Sequence, residues 1–105
     1  MSTETSTLYA KLLGETAAIT WAELEPFFAR GVLLWVDGGQ DLVAVAEAMA
    51  SDDRRRVQAW MEQGFLQKLD DARAQDWQSR DPQLWAVVVA PWILIQDRAE
   101  GATLH

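Results

Sequence analysis

The amino-acid sequence predicts a small single-domain α+β protein with about four to five helices and a three-stranded, mainly antiparallel sheet. Three observations carry that expectation. The run W-A-V-V-V-A-P-W-I-L-I from Trp85 to Ile95 has no charge and no hydrogen-bonding side chain except two indoles, as a strand buried on both faces requires. Several other segments repeat apolar residues at i, i+3, i+4 and i+7, the spacing of one helix face. At 105 residues the chain is long enough for one core and too short for two. A globular unit over residues 8–97 is expected, between a disordered segment (1–7) and a frayed tail (98–105).

The elements follow in order. Leu8, Tyr9, Leu12, Leu13 and Ala17 share one helix face behind Ser6 or Thr7 as cap, predicting a helix over 8–17 that Gly14 weakens by about 1 kcal/mol. T-W-A-E at Thr20 is a capping box, with Ile19 placed to staple onto Leu24. Pro26 should kink or restart that second helix, and Gly31 ends it. V-L-L-W-V over 32–36 reads as a short buried strand closed by Asp37, Gly38 and Gly39. Asp41 caps a third helix whose Leu42, Val43, Val45, Ala46 and Met49 form an apolar stripe. Ser51 is expected to cap a fourth, with Asp52 and Asp53 in its first turn and Val57, Trp60 and Met61 inward. Gly64 stops it. Alternation over 65–69 gives a half-exposed strand, and a weak helix over 72–79 turns Trp77 inward before Asp81-Pro82.

The long apolar run exceeds an ordinary strand of about 5 to 6 residues, so it should bend at Pro91, which has no N–H to give a central ladder. A bulge there places Trp85, Val87 and Val89 on one face with Trp92 and Leu94, and Ala86, Val88, Ala90, Ile93 and Ile95 on the other. The helix pair over 41–64 should cover one face and the two N-terminal helices the other. An exposed Val88 or Ile93 would mark an oligomer interface. Strand, two helices, strand, loop and long strand is also the order of a winged-helix-like core, an analogy that carries no function.

Four phrases, Y-A-K-L-L-G-E-T-A (9–17), W-A-E-L-E-P-F-F-A-R-G-V (21–32), D-L-V-A-V-A (41–46) and D-P-Q-L-W-A-V-V-V-A-P-W (81–92), resemble a family of short bacterial proteins known as domain of unknown function 2288. The resemblance spans about Leu8 to Asp97. It implies no activity, ligand or catalytic residue, so no role is carried over to any position.

Composition narrows the chemistry. Sixteen acids against nine bases give a net charge of −7, which opposes approach to phosphate polymers and anionic lipid. Absence of cysteine and of an apolar leader segment makes the cytoplasm the expected compartment, with no membrane partner. Cys-based and His-based nucleophilic catalysis fail because the lone histidine is His105, and a zinc site fails for the same want of ligands. Asp37, Asp41, Asp70 and Asp71 lack EF-hand spacing and read as turn and cap residues. Gly38-Gly39 is no nucleotide-binding loop. No catalytic residue, metal or cofactor is therefore expected.

The basic cluster Arg54 to Arg56 lies where a winged-helix protein would carry its recognition helix, but Asp52 is spaced to pair with Arg55 and Arg56, so a self-neutralised solvated face is expected instead. Six tryptophans point to packing and interfaces, because large rings dominate both. The sequence thus predicts a non-enzymatic domain that binds an unidentified protein, with a second copy of itself among the candidates. Its candidate interaction surface is Arg54, Arg55, Gln58, Trp77 and Trp92. The alternatives are a nucleic-acid-binding or regulatory domain of winged-helix type and, third, a carboxylate-dependent metal enzyme.

Overall fold

The computed structural model describes residues 3–98; residues 1, 2 and 99–105, to which part of the expected disordered segment and nearly all of the expected tail belong, lie outside the described residues. The elements are α1 (Thr3–Glu15), β1 (Ala17–Ile19), α2 (Trp21–Ala29), β2 (Leu33–Val36), α3 (Leu42–Ala50), α4 (Arg54–Glu62), β3 (Leu66–Lys68), α5 (Asp71–Arg80), β4 (Leu84–Val89) and β5 (Trp92–Gln96). The α+β class holds. The sheet, however, has five strands in the order β1-β4-β5-β2-β3, with β2 and β5 parallel and the other pairs antiparallel. The expected three-stranded sheet is corrected accordingly, and the β2-α3-α4-β3 order that suggested a winged helix sits within this larger mixed sheet.

Period-two alternation divides the strand side chains between two cores. Leu34, Val36, Val87 and Leu94 pack with Leu12 of α1 and with Leu42, Val43, Val45 and Ala46 of α3, and half-buried Val57 and Trp60 of α4 close that side. Leu33, Trp35, Leu84, Ala86 and Ile95 pack with Trp21 and Leu24 of α2 and with Ala74 and Trp77 of α5. Helices therefore cover both faces, but not as expected: α1 joins α3 and α4, while α2 is accompanied by α5. Each buried Leu, Ile or Val adds about 1.5–3 kcal/mol, so the two cores carry most of the stability.

The long apolar run is a hairpin and not one bent strand. Val89 pairs with Trp92 across the turn Ala90-Pro91, whose peptide bond is cis. Because directly opposed residues of a ladder share a face, a two-residue turn gives the same face assignment as a one-residue slip. Trp85, Val87 and Val89 accordingly lie with Trp92 and Leu94, and Ala86 with Ile93 and Ile95, as expected.

Helix ends follow local chemistry. Thr20 and Glu23 form the expected capping box, with the Thr20 amide donating to Glu23 Oε1 at 3.1 Å and the Glu23 amide donating to Thr20 Oγ1 at 3.4 Å. α2 runs through Pro26 without dividing and ends at Gly31, whose φ of 74° suits a residue without a Cβ. At the end of α3 the left-handed position is taken by Asp52, with φ 58°. The Asp53 amide donates back to the Ala48 carbonyl at 2.8 Å and the Asp52 amide to Met49 at 3.1 Å, a Schellman closure in which Asp stands where glycine is usual. The cap of α4 is consequently Asp53, whose Oδ1 accepts from the Arg56 amide. Ser51, expected in that role, ends α3 with its hydroxyl on the Glu47 carbonyl at 2.7 Å. α1 begins at Thr3, so residues 3–7, expected to be disordered, are helical.

Two polar ties lock the far end of β5. Gln96, almost fully buried, donates through Nε2 to the Asp37 and Gln40 carbonyls at 2.9 and 2.7 Å, and its Oε1 accepts from Arg98, which lies over the Trp85 ring. Arg80 at the end of α5 donates to Asp76 and, at 2.9 Å, to the fully buried Asp97 carboxylate. Withdrawing a cation from a buried carboxylate is costly even after allowance for the partial exposure of Arg80. Arg80→Ala should therefore lower unfolding stability in urea by roughly 1–3 kcal/mol. Asp76→Ala, which removes the more exposed partner, should leave the urea midpoint nearly unchanged.

Candidate functional site

α4 is the least anchored helix of the fold. None of its residues is buried: Val57 and Trp60 rest half-covered on the α1/α3 core, and Met61, expected inward, is 48% exposed. Only three large apolar residues lie on its nine positions, too few to seat it deeply. Between α3 and α4 lies a cleft of about 330 Å³, with Ala48, Met49, Val57 and Met61 as its apolar lining and Asp52, Asp53, Arg54 and Gln58 as its polar lining. The Schellman closure at Asp52 and the Asp53 cap reverse the chain and so set the width of that cleft. Two thioethers in its lining are unbranched and polarisable, and such side chains adapt to irregular apolar partners.

The polar lining is electrically quiet. Arg54 Nε lies 3.3 Å from Asp52 Oδ1, a pair exposed on both sides and therefore weak, and Gln58 donates to Glu62 at 3.1 Å. The expected pairing of Asp52 with Arg55 and Arg56 is replaced by this Arg54 contact, while Arg56 lies over the Trp60 ring at 5.0 Å. Of the five residues expected to form one surface, Arg54 and Gln58 line the cleft and Arg55 stands exposed beside it. Trp92 is half-buried against the α1/α3 core. Trp77 does not reach that surface: turned inward as its helix spacing predicts, it is 1% exposed, 6.4 Å from the Trp21 ring, and belongs to the α2/α5 core.

No catalytic constellation converges on the cleft. Among the described residues no three His, Cys, Asp or Glu side chains group closely enough to hold a metal ion. Among the described residues the buried polar side-chain atoms that lack partners, Trp21 Nε1, Trp35 Nε1 and Glu47 Oε2, are divided between the two faces of the sheet and do not form a site together. Among the described residues no helix is long and apolar enough to cross a membrane. Sequence reasoning missed Met61 as a surface residue because helical spacing from Val57 assigns it inward, whereas Met49 packs half-buried against the α1/α3 core as its place on the α3 stripe requires. The sparse apolar content of α4 was the available signal.

A family model described as a protein of unknown function, DUF2288, matches residues 7–97. The chain belongs to this family. It is also similar to PA1075 from Pseudomonas aeruginosa, whose NMR solution structure shares 66% sequence identity and a TM-score of 0.81 over all of this chain and 97% of that one. No curated protein matches the chain significantly.

On the same face as the cleft, the Tyr9 hydroxyl of α1 donates to Asp41 Oδ2 at 2.7 Å, while Asp41 Oδ1 caps α3 by accepting from the Val43 and Ala44 amides at 3.0 and 3.2 Å. One carboxylate thus fixes the start of α3 and ties α1 to it. The hydrogen bond to Asp41, then burial and nearby negative charge, raises the Tyr9 pKa above its usual value. A raised phenol pKa means that the neutral form is favoured in the folded state. Its contribution is complete below the unfolded-state pKa and disappears as pH rises through the folded one. Tyr9→Phe should lower stability by about 0.5–1.5 kcal/mol at neutral pH. In melts taken from pH 9 upward, the variant should lose the part of the alkaline decline that the phenol causes. An unchanged alkaline profile in the variant would show that Tyr9 does not couple α1 to α3.

Proposed function

We propose that this family member is a cytoplasmic, non-enzymatic domain that works by binding another protein in the α3–α4 cleft. The observation that supports this reading is the helix α4, which presents Val57 and Met61 along an apolar cleft while burying none of its own residues. An exposed apolar groove rimmed by polar groups is the usual mark of a protein contact, and adaptable methionines suit one that accepts a helix or apolar segment. Nucleic acid is the weaker reading. The cleft offers one arginine beside two aspartates, on a chain whose net charge is −7.

The test begins with capture of partners on the immobilised protein from a bacterial lysate, followed by reconstitution of the complex from purified components. A saturable complex of defined stoichiometry is expected. Met61→Glu should weaken it at least tenfold, while the melting temperature barely moves because an exposed side chain contributes little to folding. A purified partner that binds the variant as tightly as the original chain would refute the cleft as its site.

A further inference from the structure

A second surface, independent of the cleft, lies at the β1 end of the sheet. The two sheet edges are built differently. β3 carries Lys68 on its edge, and Gln67 is engaged with Gly64 and Arg73, so charge and side-chain contacts obstruct another strand. β1 is Ala17-Ala18-Ile19, with no charge and no proline, and its one strand partner is β4 on the inner side. Beside it the α2/α5 layer stops short, leaving Val88 58% exposed in a shallow depression of about 260 Å³ formed with Ala17, Ile19, Phe27, Ala86 and Ile93. Acids bracket this strip. Glu15 borders the depression at one end, and Glu23 and Asp81 border an adjoining hollow at the other. Neither hollow is lined by a Lys or Arg, and among the described residues none of these three carboxylates forms an ion pair.

We propose that the β1 edge receives an extended segment of another protein as a sixth strand, with alternate apolar side chains in the Val88 depression and basic residues at both ends. Unpaired edge groups select an extended backbone, and period-two alternation selects small apolar residues at every second position. Charge decides between a foreign segment and a second copy. Antiparallel pairing of two β1 strands would set Glu15 of one copy against the Glu23 and Asp81 end of the other, twice over, so self-pairing meets like charge where a basic segment meets complementary charge. A three-residue edge with one shallow depression is also smaller than the roughly 1,200–2,000 Å² of a stable interface, so the contact is transient.

The test is a titration of the 15N-labelled full chain with the synthetic peptide Lys-Lys-Val-Thr-Val-Thr-Val-Lys-Lys, followed by amide NMR shifts. Shifts centred on Ala17 to Ile19, Val88 and Ile93 are expected, with an affinity that falls several-fold on adding salt. The same peptide with Glu in place of every Lys should produce none. Glu15→Lys, at the exposed end of α1 where a cation suits the helix, should keep the fold and weaken the basic peptide about three- to tenfold. Absence of shifts at β1, or equal binding of the Glu peptide, would overturn the proposal. Shifts confined to Met49, Val57 and Met61 would overturn it too, while leaving the cleft reading standing. β1 shifts that appear when the protein alone is concentrated would assign the edge to a second copy instead.

Discussion

Leu94 and Ile95 are adjacent in the chain, yet one is sealed under α1 and α3 and the other under α2 and α5. A hairpin that is apolar on both faces cannot be satisfied by one helical layer, so two must form, one on each side. The positions of the remaining elements follow from that demand. β2 enters beside β5 with all four residues buried, and β3 and β1 close the flanks with short, partly exposed strands. α4 comes last in this hierarchy, because α1 and α3 already cover most of its side of the sheet. The openness of its cleft is a result of that near-completion.

Much of this was legible because it is local. The capping box at Thr20, the Asp41 cap, the stop at Gly64 and the inward turn of Trp77 each depend on residues within one or two turns of each other. The face assignment of the apolar run was also readable, even though the sequence suggested a bulge, since turn and bulge obey the same parity. The phrases shared with the DUF2288 family were readable as well, and residues 7–97 match it.

What the sequence withheld depends on distance in the chain. β1 is three residues, Ala-Ala-Ile, whose strand character comes only from lying against Ala86, Trp85 and Leu84. A segment that short has no period to detect. The parallel pairing of β2 with β5 has no local signature either, and the expected count of three strands comes from passing over β1 and taking the β4–β5 hairpin as one strand. Exposure has the same dependence: Arg54 and Gln58 are placed outward by helix periodicity, but whether Met61 faces solvent depends on how fully neighbouring helices cover the sheet.

Strand order also sets a timetable for the chain as it is made. β1 waits for β4, and β2, which can pair with β3 earlier, still waits for β5 on its other side, so joining the sheet needs residues 84–96. Such long-range pairings are slow to close, since chain entropy is lost before the contacts that compensate for it exist. All five helices leave the ribosome before the hairpin on which they pack. Until residues 84–96 emerge, the apolar stripes of α2, α3 and α5 have no sheet to cover them, and that interval is when the nascent chain is most exposed to aggregation or to a chaperone.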